Sequence, residues 1–415
     1  MNSQAEFNIW KIRQDFPLLQ KEMHGKPLIY FDSAATSQKP QSVIHAISHF
    51  YSAEYGTVHR AVYDLAANAT ARYEEVRHKI KTFLNAEFVE EIIFTKGTTE
   101  AINLVAHSFG KVFINAGDEI LISETEHHSN IVPWQILCEE KLAILKVIPV
   151  DDLGQLILTE YEKLLTNRTK LVSIAHIANA TGTIHPIELI IELAHAKGAK
   201  VFIDGAQAAS HIPVDVRRIN ADFYAFSGHK AYGPTGIGVL YGRSELLKKM
   251  PPFQYGGDMI EKVTFAKTTF QSPPLKFEAG TPLIAEVIGL GAAIDYIESI
   301  GRERIAAWEN DLLLYTTKKM ASIPHLRIIG TAKKKGAIIS FVIEGLHSLD
   351  IGTLLDIRGI AVRTGHHCAQ PAMQRFNVSA TTRLSLGVYN TMEEVNIFIE
   401  ALKEVIFLLR PTVSY

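Results

Sequence analysis

The sequence predicts an α/β fold built on a mostly parallel seven-stranded sheet, followed by a smaller α+β unit. Three observations carry this. Apolar runs recur at 92–94, 119–122, 143–149, 171–175, 201–203, 223–226 and 237–241. Helical periodicity separates most of them, as at 99–109 and 186–197, which implies a parallel sheet covered on both faces. The last connection, Lys230 to Ile237, is too short for a crossover helix, so that strand is expected to pair antiparallel.

The first 25 residues read as one amphipathic helix around Ile9, Ile12 and Phe16, ended by Pro17. A short strand at 28–31 runs into the polar loop Asp32-Ser33-Ala34-Ala35-Thr36, and helices are expected near 41–54 and 66–84. The loop between these helices carries the pair His59-Arg60. Beyond the sheet pattern, residues 243–280 are rich in Pro and Gly and read as loop, and a helix follows at 285–299. From Gly301 the expected order is helix, strand (337–343), helix (348–357), strand (360–363), loop, strand (384–388) and helix. That last helix opens on the capping box Thr391-Met392-Glu393-Glu394 and keeps an apolar stripe through Val395, Phe398, Leu402, Val405 and Leu409. The expected division is an N-terminal segment (1–24) packing with the small domain, a large domain (25–298) and a small C-terminal domain (299–415).

Composition narrows the function. Of 415 residues, 47% are hydrophobic and 21% charged, the balance of a globular chain. A net charge of −2 gives no basis for nucleic-acid or anionic-membrane partners. Charges interrupt every apolar run well short of a membrane span, and the polar start is not a secretory signal. Two cysteines, Cys138 and Cys368, exclude a disulfide framework and fit a reducing cytoplasm.

Chemistry-bearing residues follow the strand ends, where ligands of such sheets bind. In Ser227-Gly228-His229-Lys230 a lysine follows an apolar strand beside a hydroxyl, a glycine and an imidazole. An amine held in a partly desolvated pocket there suits Schiff-base formation with an aldehyde. In Thr95-Lys96-Gly97-Thr98-Thr99 a glycine turns the chain and hydroxyls open a helix, which is either a phosphate site or an ordinary cap. Asp204 ends the run Val201-Phe202-Ile203, where a carboxylate needs a cationic partner such as a protonated ring nitrogen, or else caps the next helix. His127 and His128 lack the spacing of a metal site, so no metal is expected, and an imidazole stacked on a flat ring fits better. Together these signals fit pyridoxal phosphate. In the second unit Cys368 lies in a polar loop near Arg363 and two histidines, surroundings suited to a nucleophilic sulfur. It stands only three residues past Gly365 and cannot swing far. Arg383 opens a strand, placed to clamp a carboxylate or to form an ion pair. Cys138, in a helical run, reads as a buried inert thiol.

The stretches FDSAATSQKP (31–40), FTKGTTEAINLVA (94–106), EHHSNIVPWQ (126–135), VFIDGAQA (201–208), DFYAFSGHKAYGPTGIGVLY (222–241), FEAGTP (277–282) and AVRTGHHCAQP (361–371) span nearly the whole chain. In them it resembles the class V aminotransferase-like, fold-type I pyridoxal-phosphate enzymes, and among these the group II, SufS-like cysteine desulfurases. The resemblance implies that Lys230 bonds the cofactor aldehyde, Asp204 pairs with the ring nitrogen, Gln207 with the ring hydroxyl, and His127 stacks on the ring. It implies a phosphate site from Thr99, Ser227 and His229, beside the helix-start donor Thr98, with Thr281 from the other subunit of a homodimer that shares its active sites. Asn179 and Arg383 would take the substrate carboxylate, Arg363 would lie near the thiol, and His59 and Arg60 would line the partner's site. The implied reaction turns L-cysteine into L-alanine with a persulfide on Cys368, passed to a SufE- or SufU-like acceptor for iron–sulfur cluster assembly. Selenocysteine lyase activity on the same fold is the first alternative, and a non-catalytic dimeric scaffold or metal-binding protein the second. Ala231, Leu283 and Leu384 depart from the family's usual residues, and none of them replaces a catalytic group.

Overall fold

Seven strands form the central sheet of the computed structural model, which describes residues 7–410. They are β1 (Ile92–Thr95), β2 (Glu119–Ser123), β3 (Ile144–Ile148), β4 (Thr169–Ala175), β5 (Lys200–Asp204), β6 (Phe223–Ser227) and β7 (Gly238–Gly242). Their spatial order is β1-β7-β6-β5-β4-β2-β3. Only β7 is antiparallel, to both β1 and β6, as the short Lys230–Ile237 connection requires. The two-residue period of the strands builds two cores. Ile92, Phe94, Val201, Ile203, Tyr224 and Phe226 point to one face, and Ile93, Phe202, Phe223 and Ala225 to the other. Six strands therefore end at one edge, and the loops leaving it lie side by side.

The smaller unit is a four-stranded antiparallel sheet of Leu326–Ile329, Ile338–Ile343, Thr381–Ser385 and Arg363–Gly365, in that order. Helices Arg302–Met320, Ser348–Asp356 and Met392–Leu409 pack with it. The expected capping box is present, with Thr391 accepting from the Glu394 N–H and Glu394 from the Thr391 N–H. Phe16 links the units, its ring against Tyr232 and Tyr296 on one side and Tyr389 on the other. Arg13 adds an ion pair to Glu394 at 2.7 Å.

Several expected elements are redrawn. The N-terminal helix is only Ile9–Gln14, followed by a 3₁₀ turn at Pro17–Gln20 and a hairpin of Glu22–Met23 with Lys26–Pro27. His24 and Gly25, both at positive φ, make the tight turn that a two-residue hairpin needs. Residues 1–6 and 411–415 of the expected N-terminal segment and small domain lie outside the described residues. The 243–280 stretch is not plain loop, because it holds the helix Ser244–Lys249 and the hairpin Ile260–Val263 with Thr268–Phe270. The expected 384–388 strand runs three residues earlier, since buried Thr381 and Thr382 extend it. Arg383 is thus central in its strand and does not open it, and it sits directly opposite Arg363. The 360–363 strand splits, with Ile360–Ala361 pairing parallel to Ile29–Tyr30. The strand Leu326–Ile329 and the helix Gln370–Arg375 were not foreseen. The helix takes Pro371 in its first turn, where a missing N–H does no harm.

One buried ion pair ties the 277–282 segment to the sheet. Arg77, 1% exposed, grips Glu278 through both terminal guanidinium nitrogens at 2.7 and 2.9 Å, while Glu278 accepts from the Phe94 N–H at 2.7 Å. Arg77→Met leaves that carboxylate buried without its cation, so a loss of about 3–5 kcal/mol is expected in urea unfolding. A loss within experimental error would show that the pair contributes nothing.

Candidate active site

The loops at the carboxyl edge and the small sheet enclose one cavity of about 210 Å³. From the end of β1 come Thr98 and Thr99, the first residues of the helix Thr98–Phe113. Gly97 makes this possible: its φ of 154° suits glycine, and a Cβ there would lie 3.3 Å from Ser227 Oγ. Ser227, ending β6, accepts from the Thr98 N–H at 2.9 Å and shares a hydroxyl bond with Thr98 at 2.8 Å. Two strand ends are thereby fixed to one another. Gly228 allows a close approach of the chain to itself, since a Cβ would press on Ile237.

Lys230 and Asp204 face this cavity from adjacent strand ends. Burial lowers the Lys230 amine to about 8, opposed by the Asp204 charge. Burial likewise pushes the Asp204 carboxyl up, opposed by the Ala206 N–H at 2.9 Å and by Lys230. His127 follows β2, and its Nδ1 accepts from the Ser129 N–H at 3.0 Å and meets the Ser129 hydroxyl at 2.7 Å. The Thr99 hydroxyl in turn donates to Ser129 at 3.0 Å, so the imidazole is held from behind. Burial and then the Lys230 charge lower His127 to about 4, and burial, Lys230 and Lys39 bring His229 to about 4. Both rings are therefore neutral near pH 7. Gln207 donates to the Ala34 carbonyl at 2.7 Å.

The opposite wall comes from the small sheet. Arg383, 2% exposed, donates to the Asn179 carbonyl at 3.1 Å and pairs with Asp32 at 3.2 Å. Arg363 lies 3.8 Å from the other Asp32 oxygen. Burial raises the Asp32 carboxyl, and the two guanidiniums pull it back. Arg383 Nε and Asn179 Oδ1 are buried without a protein partner. The unmatched Arg383 Nε donor suits a ligand carboxylate, and the Asn179 Oδ1 acceptor suits a ligand N–H. Cys368 is exposed at this cavity, whereas Cys138 is buried and its thiol is pushed up to about 11.

 Of the fifteen site residues expected from the sequence, twelve line this cavity, whereas Thr281, His59 and Arg60 do not. His59 instead bonds Glu74 at 3.1 Å, Arg60 pairs with Asp258 at 2.9 Å, and Thr281 lines a separate cavity beside Glu278. Neither Ala231 nor Leu384 lines the site: both are fully packed inside. Sequence reasoning missed Asp32, Ser129 and His367. Asp32 alone carried a usable sign, a carboxylate directly after an apolar strand.

A sheet edge bearing a desolvated lysine, a buried carboxylate, a helix start lined with hydroxyls and a facing cysteine defines a Schiff-base type of α/β enzyme. The chain belongs to the aminotransferase class-V family, which it matches over residues 29–398. It is 53% identical over 399 residues to a cysteine desulfurase of Synechococcus elongatus, covering 96% of this chain but only 64% of that one. It is 48% identical over 407 residues to the cysteine desulfurase of Dickeya dadantii, covering 98% of both. The structure of a cysteine desulfurase from Thermococcus onnurineus superposes with a TM-score of 0.91 at 41% identity, over 96% of this chain and 98% of that one.

The lowered Lys230 amine has a consequence for stability. The unfolded chain keeps this proton up to about pH 10.5, and the folded chain releases it near 8, so stability rises with pH across that window. In cofactor-free protein, the unfolding free energy relative to Lys230→Met is expected to shift in favour of wild type by about 3 kcal/mol across it. A pH-independent difference in urea unfolding would refute a desolvated amine.

Proposed function

We infer that the protein is a pyridoxal-phosphate-dependent cysteine desulfurase that converts L-cysteine to L-alanine and leaves a persulfide on Cys368. The observation that carries this is the single cavity shared by Lys230, Asp204 and Cys368. The residues present fit the cofactor: a buried carboxylate lacking a full complement of partners, an amine beside it, and hydroxyls at a helix start. Asp204 would hold the ring nitrogen and Gln207 the ring hydroxyl. His127 would lie on the ring face, and Thr98, Thr99, Ser227 and His229 would hold the phosphate.

Bound pyridoxal phosphate supplies an electron sink for the carbon atoms of the substrate. Asn179 and Arg383 orient the substrate carboxylate, and the neutral Lys230 amine moves the Cα proton. Cys368 Sγ, as thiolate, attacks the substrate sulfur. The S–S bond forms as the substrate Cβ–S bond breaks, and the electron pair stays with carbon, which takes a proton to give the methyl group of alanine. Sulfur is oxidised and carbon reduced by the same two electrons, so no outside reductant enters until the persulfide is passed on.

The finer assignments belong to the same proposal. Only four residues separate the strand Arg363–Gly365 from the helix Gln370–Arg375, which supports the group II subtype with its short cysteine loop. Thr281, His59 and Arg60, standing apart from this cavity, would serve the partner's cavity in a homodimer. A SufE- or SufU-like protein would take the sulfur for cluster assembly. Residues 25–298 would form the cofactor-holding domain and 299–415 the domain that brings the cysteine. Two unpaired thiols support a cytoplasmic site, and among the described residues no helix is long and apolar enough to cross a membrane.

Cys368→Ala is expected to keep the visible absorbance of the bound cofactor and to lose alanine formation from L-cysteine by about 100-fold or more. Undiminished turnover would overturn the mechanism. Retained activity on selenocysteine alone would point to the lyase reading, since selenium leaves without needing the thiol.

A further inference from the structure

The cysteine-bearing turn is short and strained. His367 and Cys368 both take left-handed backbone conformations, with φ of 53° and 54°. Side chains of this kind hold such conformations only where surrounding contacts over-determine them. Those contacts come from the large sheet's loops. The His128 N–H donates to the Cys368 carbonyl at 2.7 Å, and the Asn179 amide donates to the His367 carbonyl at 2.6 Å. The Gln370 N–H, opening the helix just beyond, donates to His128 Nε2 at 3.2 Å. Within its own sheet the turn has one further anchor, His367 Nε2 on the Thr381 hydroxyl at 2.7 Å.

His128 therefore grips the turn twice, once by backbone and once by imidazole. It also begins the 3₁₀ turn His128–Asn130, whose Ser129 fixes the His127 ring. The same three-residue turn thus sets the ring against the cavity and holds the nucleophile in it.

We propose that His128 is a positioning residue: its imidazole, by accepting from the Gln370 N–H, pins the strained Cys368 turn so that the sulfur faces the substrate. The role in turnover rests on the desulfurase reading; the clamp itself does not.

The test compares holoenzyme of wild type, His128→Phe and His128→Gln. The phenyl ring keeps the bulk and removes the acceptor, while the carboxamide oxygen restores an acceptor. Hydrogen exchange of the 366–372 segment is expected to quicken about fivefold in His128→Phe, the shift that one net hydrogen bond commands, and to stay within about twofold of wild type in His128→Gln. Alanine formation should follow, with kcat down about fivefold in His128→Phe, KM for L-cysteine within about twofold, and recovery in His128→Gln. The proposal falls if exchange in His128→Phe matches wild type, if exchange quickens with kcat unchanged, or if His128→Gln is as impaired as His128→Phe. Wild type that makes no alanine at all overturns the desulfurase reading and the turnover role with it, and the exchange rates distinguish that failure from failure of the clamp.

Discussion

Everything in this site depends on an amine and a carboxylate sharing one desolvated edge of a sheet. Lys230 and Asp204 end up together because β5 and β6 are adjacent and parallel, so their carboxyl ends open into the same space. Burial drives both groups toward their neutral forms, and each charge partly offsets the loss of water for the other. The balance brings the amine to about 8, so that some of it is free near neutral pH, together with a carboxylate in want of a cation. A buried pair of this kind adds little to stability. Its arrangement makes sense as chemistry.

The small sheet answers with the opposite charge. Its register sets Arg363 across from Arg383, two cations on neighbouring strands, which repel unless an anion lies between them. Asp32 is that anion within the chain, at 3.2 Å from one and 3.8 Å from the other. It reaches them from the loop after Ile29–Tyr30, a strand that itself pairs with Ile360–Ala361 of the smaller unit. The N-terminal part of the chain is therefore built into the wall that would receive a substrate carboxylate. Arg383 still has an unmatched Nε, so Asp32 steadies the pair without filling it.

The strand-end residues were legible in the sequence because their signal is local. A run of apolar residues predicts a buried strand, and the first polar residue after it marks the edge where a ligand sits. Asp204 and Ser227 follow that rule, Lys230 stands three residues past Ser227, and the antiparallel β7 follows from connection length alone. What stayed hidden was set by distant pairing. Ser129 acquires its task from Thr99, thirty residues away in the chain, and Asp32 from an arginine more than three hundred residues later. The strand holding Arg383 was misplaced because Thr381 and Thr382, polar by composition, extend it once their hydroxyls are buried. Thr281, His59 and Arg60 have no place in the cavity of one chain, and no local pattern fixes whose cavity they meet.

The two halves of the chemistry reach the cavity under different mechanical terms. The lysine closes the 3₁₀ turn Gly228–Lys230 just past a central strand, with Thr36, Ser37 and Lys39 all donating to the carbonyl of the preceding His229. Its backbone is fixed by regular structure and by these bonds. The cysteine stands on a four-residue turn between a three-residue strand and a six-residue helix, elements too short to impose a conformation by themselves. Its left-handed backbone is sustained from across the cavity, by residues of the large sheet. The cysteine's geometry is accordingly a property of the contact between the two units, while the amine's is a property of one. Whatever loosens that contact moves the sulfur and leaves the lysine where it was.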